Sequence, residues 1–337
     1  MSHNNNHLVI MAGGVGSRFW PMSTADVPKQ FIDVLGVGRT LIQLTIDRFS
    51  GICPKENIWV VTNRKYLSLV KEQLPELDES NILLEPCRRN TAPCIAYVSW
   101  RIKSQDPKAN IVVAPSDAIV TDVDEFRRVI TASLKFTSET DSIVTLGMKP
   151  TRPETGYGYI EYIDKKKNHH DEMEIYKVKR FREKPNKELA ERYIEQGNYL
   201  WNSGMFLWKT EFILHEIKKY MDSHKEVLEK IEKMLENKDL NEFYGKALSD
   251  YVSGEFETFE KISIDFGVME HTKSVLVIPV DISWNDVGSF KSLDEIFPKD
   301  NKGNVVRTEK YSEIDSEGNI IINKEKDKII ATIGIED

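Results

Sequence analysis

The chain has 337 residues, 40% of them apolar, enough for one large or two modest domains with an ordinary core. A net charge of −8 excludes the broad basic surface that non-specific nucleic-acid binding needs, yet allows a small anionic substrate held by a few local cations. No segment approaches the ~18 apolar residues of a membrane span, and Cys53, Cys87 and Cys94, at no metal spacing, are expected as reduced thiols in a cytoplasmic protein.

The polar first seven residues lack a signal-like apolar core, and His3 and His7 read as a solvated, frayed end rather than a metal tail. A buried strand over 8–11 runs into Gly13-Gly14-Val15-Gly16-Ser17-Arg18. Glycines let backbone N–H groups approach an anion, and Arg18 with the following Pro28-Lys29-Gln30-Phe31 adds full positive charge, the equipment for holding a polyphosphate. The turn is no P-loop, since no Gly-Lys-Ser/Thr closes it, and it lacks the third glycine of a dinucleotide fingerprint. Taken alone it also fits a plain strand-to-loop turn.

Helices over 41–49, 66–74, 91–102 and 123–137 then alternate with short apolar strands over 58–62, 82–85, 111–114 and 142–148. Such βαβ alternation predicts an α/β protein with a Rossmann-like, mixed but mostly parallel sheet flanked by helices. Ligands of such sheets bind beyond the carboxyl ends of the strands, so 13–18, 85–90 and 115–117 should line one rim. There Asp117 either helps hold Mg²⁺ between phosphates or serves as a turn cap. In 85–93, Asn90 or Thr91 is an N-cap candidate on a loop that can also meet a nucleobase edge.

The middle predicts strands over 156–163 and 175–183 pairing across a charged loop at 164–174, a helix over 187–196, an aromatic strand over 202–208 and a long charged helical region over 210–236 with a solvated Lys/Glu face. Gly156-Tyr157-Gly158 is either a hairpin edge or backbone access to a polar ligand. Glu183 and Lys184 are either a surface ion pair or an acceptor for sugar hydroxyls beside a phosphate-binding cation. Asn202 offers an amide beside aromatic bulk, and Asp265 stands between apolar residues, which is unusual for a structural strand. After an apolar strand over 274–279, Asp286 in Trp284-Asn285-Asp286-Val287-Gly288 is a second Mg²⁺ candidate, or a turn aspartate. Beyond Pro298, residues 303–306, 318–322 and 329–331 look like short β rungs, of a solenoid or a hairpin, that must bury a face against the main domain or another subunit.

Nine segments, 11–23, 28–31, 85–93, 115–117, 155–160, 181–185, 201–206, 263–270 and 284–288, together resemble the sugar-nucleotide pyrophosphorylases, in that family's order over roughly residues 8–297. The tryptophan after Arg18, Arg89-Asn90-Thr91-Ala92-Pro93 and the 284–288 segment resemble the branch that joins GTP to mannose 1-phosphate. The resemblance implies direct attack of the sugar phosphate on the α-phosphorus of GTP, with pyrophosphate leaving. It implies that Gly13, Gly14, Gly16 and Arg18 hold the triphosphate, that Lys29 assists at the reacting phosphates, and that Asn90 and Thr91 belong to the guanine site. Gly158, Glu183 and Asn202 should contact the hexose, Lys184 its phosphate, with Asp265 nearby, and Asp117 and Asp286 should bind Mg²⁺. It further implies the short, single-activity type without an appended isomerase domain. The change of texture at Pro298 divides a catalytic domain over 1–297 from a C-terminal β segment over 298–337, read as left-handed β-helix rungs through which a homodimer is expected. Ala118 and His271 depart from the family pattern, where His and Lys often stand. Another sugar 1-phosphate such as a heptose, or a non-catalytic sugar-nucleotide sensor, is the alternative; no nucleic-acid or membrane partner is expected.

Overall fold

The computed structural model describes residues 4–14, 16–170, 173–235, 252–323, 325 and 327–336. Its centre is a nine-stranded sheet. Chain order gives β1 (Asn6–Met11), β2 (Ile58–Asn63), β3 (Ile82–Glu85), β4 (Asn110–Pro115), β6 (Ile143–Met148), β7 (Tyr159–His170), β8 (Met173–Arg182), β9 (Tyr199–Lys209) and β10 (Val275–Val280). Apart from them, β5 (Ile119–Val120) pairs antiparallel with β11 (Trp284–Asn285). Spatial order in the large sheet is β3-β2-β1-β4-β9-β6-β10-β8-β7. β1 pairs in parallel with β2 and β4, setting Leu8 opposite Ile58 and Val112.

Strand residues point alternately to opposite faces, and β1 uses both. Leu8 and Ile10 enter one apolar layer and Val9 the other, all fully buried. Helices α1 (Leu41–Arg48), α2 (Leu67–Gln73), α4 (Val123–Glu139) and α5 (Lys187–Gln196) cover the first face. Helices α3 (Thr91–Gln105), α6 (Thr210–Tyr220) and α7 (Asp222–Leu235) cover the second. Local chemistry marks the helix ends. Thr40 N–H donates to Gln43 Oε1 at 3.0 Å in a capping box, Asp122 accepts from Glu125 N–H, and Gly197 in the left-handed region ends α5.

Several expectations need correction. The sheet is parallel through β3-β2-β1-β4 and again between β6 and β10, but β9 runs antiparallel to both β4 and β6, and β7 and β8 are antiparallel as well. The sheet is therefore mixed, as expected: seven strands run one way and β8 and β9 run against them, so antiparallel pairings are as prominent as parallel ones. The segment 164–174 is not a loop throughout: strand pairing continues to His170 opposite Met173. The single helical region divides at Met221 into α6 and α7, and its end at Glu236 lies outside the described residues, as does His3. His7 is no frayed end. It is buried in β1, receiving Trp59 Nε1–H at 3.2 Å and facing Asp106 across 3.2 Å.

After the short helix Lys291–Ile296, β12 (Val305–Arg307) pairs in parallel with β14 (Ile320–Ile322), and β13 (Tyr311–Ile314) with β15 (Ile330–Ile333). β13 went unseen in the sequence because only one of its four residues is aliphatic. Ile320 and Ile322 pack on a small core of Phe19, Ile32, Val34 and Leu41, and the Arg307 guanidinium stacks over Phe297 at 4.6 Å. The three cysteines are free thiols, and no helix among the described residues is long and apolar enough to cross a membrane.

Candidate active site

The parallel strands β1, β3 and β4 end on one rim, and the turns that follow them meet there. The glycine turn is tied down from four directions. Gln30 Nε2 donates to Ala12 O at 3.0 Å and Gly14 O at 2.9 Å; Thr62 Oγ1 reaches Ala12 O, Ser116 Oγ reaches Met11 O, and Ser23 Oγ reaches Gly16 O. Carbonyls thus engaged leave the N–H side of the turn available to an anion. Gly16 sits at φ +58°, and a Cβ there would stand 2.7 Å from Lys29 Cβ, so only glycine lets the turn close on the lysine stem. Gly14 and Arg18 are exposed. Arg18 lines a cavity of about 310 Å³ shared with Arg152, Tyr157, Asp286 and Gly288.

Two turns from distant parts of the chain meet at the buried Lys29 ammonium. Lys29 Nζ pairs with Asp117 Oδ2 at 2.9 Å and donates to the main-chain carbonyls of Asp286 and Val287 at 2.7 and 2.9 Å. Asp286 Oδ1 receives the Tyr157 hydroxyl at 2.7 Å and Gly288 N–H at 2.9 Å. Burial first, and the charge of Asp286 second, push the Tyr157 phenol well up, so it remains a donor. Val287 occupies the left-handed region at φ +49°, a strained place for a β-branched residue. The Asn285 side chain, which receives Val287 N–H at 2.8 Å, and the Lys29 bond hold it there. Asp117 Oδ1 and Asp286 Oδ2 take no protein donor among the described residues.

Three protein oxygens, from Asp117, Asp286 and Val287, thus surround the Lys29 ammonium.

A second cluster lies on the sugar side expected from the sequence. Asn202 N–H donates to Gly158 O at 2.8 Å, and Asn202 Nδ2 donates to Asp265 Oδ1 at 3.0 Å. The Glu183 carboxylate lies against Gly158, and Lys184, at φ +33°, pairs with Glu183 at 3.3 Å. Burial chiefly, with the Glu183 charge beside it, raises the Asp265 carboxyl to about 6. Asp265 opens a wide helical turn, Asp265–Met269, rather than lying in a strand.

The base-side loop is bound to that same segment. Asn90 caps α3 by accepting Thr91 N–H at 3.0 Å, Thr91 Oγ1 receives Ile264 N–H at 2.9 Å, and Ala92 N–H reaches Ile262 O. Capping and a place on the rim coexist.

Glu85, Gln30 and Tyr157 are the site residues that sequence reasoning did not single out, although each stood inside a quoted motif. The Glu85 carboxylate closes on Gly13, its Oε2 3.1 Å from where a Cβ would stand. Burial is the main cause that raises its carboxyl to about 7. A buried acid at a strand end was the available signal. Of the two departures, Ala118 is buried and its carbonyl accepts from the Arg48 guanidinium at 3.0 Å, while the His271 ring stacks on Tyr220.

A glycine turn, a buried lysine joining the Asp117 and Asp286 turns and a polar cluster of Asn202, Asp265 and Glu183 make up the candidate site, and they suit a nucleotide-handling transferase. The chain belongs to the nucleotidyl transferase family, whose model matches residues 7–303. It is 37% identical over 343 residues to mannose-1-phosphate guanylyltransferase 2 of Escherichia coli O157:H7, covering 98% of this chain and 67% of that protein. It is 35% identical over 354 residues to mannose-1-phosphate guanylyltransferase of Escherichia coli K12, covering 100% of this chain and 68% of that one. The chain thus spans about two thirds of those relatives' length. Among solved structures, a Thermus thermophilus protein described as a mannose-1-phosphate geranyltransferase superposes with a TM-score of 0.82 at 29% identity, covering 98% of this chain and 90% of that one.

Proposed function

We propose that the chain transfers GMP from GTP to mannose 1-phosphate, forming GDP-mannose and releasing pyrophosphate. A phosphate oxygen of the sugar phosphate attacks the α-phosphorus in line, the bond to the bridging oxygen breaks, and that oxygen leaves on pyrophosphate. The nucleophile is already an anion, so no general base is needed; alignment and charge screening supply the rate. The observation that carries the reading is that the buried Lys29 ammonium binds the Asp117 carboxylate and the Asp286 main-chain carbonyl, which brings these two distant turns together beside the glycine turn.

Two hard carboxylate oxygens and no nitrogen or sulfur ligand fit a divalent cation of the Mg²⁺ kind, which takes one or two carboxylates and shares the rest of its shell with phosphates and water. Among the described residues no three His, Cys, Asp or Glu side chains gather, which suits a shell completed by substrate. Bound there, Mg²⁺ would screen the repulsion between the two anions. Gly13, Gly14, Gly16 and Arg18 cradle the triphosphate, and Asn90, Thr91 and Glu85 face the guanine. Gly158, Glu183, Asn202 and Asp265 take the hexose, and Lys184 takes its phosphate. Lys29 assists at the reacting phosphates from its place between Asp117 and the 286–287 turn.

The support for residues 1–297 as the catalytic unit is that every residue named above lies within them. We read 298–337 as left-handed β-helix rungs whose exposed Ile314 and Ile333 suit a homodimer, and the protein as working in the cytoplasm. The reading is tested by pyrophosphate release from GTP, ATP, UTP, CTP and dTTP against several hexose and heptose 1-phosphates. GTP with mannose 1-phosphate should be the best pair, and Asp117→Asn should cost about 100-fold or more in turnover, a far larger effect than its effect on stability. Release independent of a sugar phosphate, or full turnover by Asp117→Asn at saturating Mg²⁺, would sink it.

A further inference from the structure

We propose that Tyr157 is a positioning residue: its hydroxyl clamps one oxygen of the Asp286 carboxylate and so presents the other to the divalent cation, an inference that rests on the reading of Asp286 as a cation ligand.

Asp286 follows β11 directly and stands on a turn. An aspartate on a turn can rotate about two side-chain bonds, and each rotamer offers its oxygens differently. Here both rotations are restrained. Gly288 N–H donates to Oδ1 at 2.9 Å, and the Tyr157 hydroxyl donates to the same oxygen at 2.7 Å. A Cβ on residue 288 would stand 2.9 and 3.0 Å from Oδ2 and Oδ1, so the glycine there leaves the carboxylate its room. The Gly288 bond spans two residues and moves with the turn. The Tyr157 bond spans 129 residues and ties the carboxylate to the body of the protein.

The tyrosine is itself held. Its buried ring meets Trp201 edge-on at 5.1 Å and Trp284 edge-on at 5.3 Å. Trp201 belongs to β9 in the central sheet. The Arg152 guanidinium lies over Trp201 at 5.4 Å while it pairs with Glu154 at 3.2 Å and Glu295 at 3.0 Å. Glu295 in turn receives Asn285 Nδ2 at 3.1 Å, which leads back to the residue before Asp286. The phenol cannot swing away without breaking both ring contacts. A hydrogen bond to an ionised acceptor is short and strong, so this one fixes the carboxylate as well as touching it. A cation that takes only one or two carboxylates depends on their being aimed before it arrives, and groups that orient a ligand set affinity nearly as the ligand does.

The test is protein-bound Mn²⁺ measured by electron paramagnetic resonance on the full chain, with GTP present and no sugar phosphate. Tyr157→Phe keeps the ring between the tryptophans and removes only the hydroxyl. It should weaken Mn²⁺ binding about 10-fold, and the Mg²⁺ concentration giving half-maximal turnover should rise by a similar factor. A hydroxyl that only supports the fold would lower the melting temperature and leave both unchanged, and that result overturns the proposal. In an Asp286→Ala background Tyr157→Phe should cost nothing further, because no carboxylate is left to aim. A loss that persists there would mean that the hydroxyl serves the nucleotide directly, and it overturns the proposal too. Should Tyr157→Phe fail to fold, Trp201→Phe decides: it leaves the hydroxyl but loosens the ring, and should weaken Mn²⁺ binding about 3-fold, whereas unchanged binding overturns the proposal. Failure of the underlying reading shows separately, as Mn²⁺ binding that Asp286→Ala leaves unchanged, which overturns both.

Discussion

At the residue scale the site is governed by who accepts each proton. Lys29 carries the charge that a phosphate-binding turn suggests, but its acceptors lie 257 and 258 residues away, and no local pattern reveals them. The glycine turn and Asp117 were legible because each follows an apolar strand closely, and Asp286 because it stands in the Trp284–Gly288 turn beyond another. Glu85 was legible only as part of a loop. Its carboxyl is raised to about 7 chiefly by burial, from an ordinary 4.5. Between those values the folded chain keeps a proton that the unfolded chain has released, so stability falls as pH rises through the window. Glu85→Gln should flatten that slope and raise stability at pH 8 by on the order of 2–3 kcal/mol. Denaturant titrations at pH 5 and pH 8 check this, and equal slopes for both chains would refute it.

At the element scale the sequence predicted where strands and helices lie better than which way the strands run. The apolar run of β9 looks like those of β4 and β6, yet it threads between them in the opposite direction. Strand direction is set by how far the preceding and following elements must travel, and alternation of apolar residues carries no sign of it. The hairpin of β7 and β8 was seen but its length was not, because the charged run 164–170 carries no apolar alternation although its backbone stays paired. The last strands have a measurable part. Ile320 and Ile322 cover Phe19, Val34 and Leu41 beneath the glycine turn's exit. Removing residues 304–337 should lower the melting temperature by about 5 °C or more, the value of uncovering two or three isoleucine-sized side chains. Calorimetry on the shortened chain decides it; an unchanged transition would mean that these strands lend no support to that core.

At the scale of the whole molecule, one sheet rim collects turns from both ends of the chain, and the sides proposed for base and sugar are joined beneath it by two hydrogen bonds. Thr91→Val should raise KM for the nucleotide and for the sugar phosphate together, by about 5-fold each, whereas Thr91→Ser should restore both. Steady-state kinetics with each substrate varied in turn would show it, and a change confined to one substrate would count against it. The bond from Ile264 N–H to Thr91 Oγ1, with its neighbour from Ala92 to Ile262, makes the two walls one rigid piece. Selecting this enzyme in the laboratory for an unfamiliar hexose would therefore drag its choice of base along, even through replacements that never touch the purine.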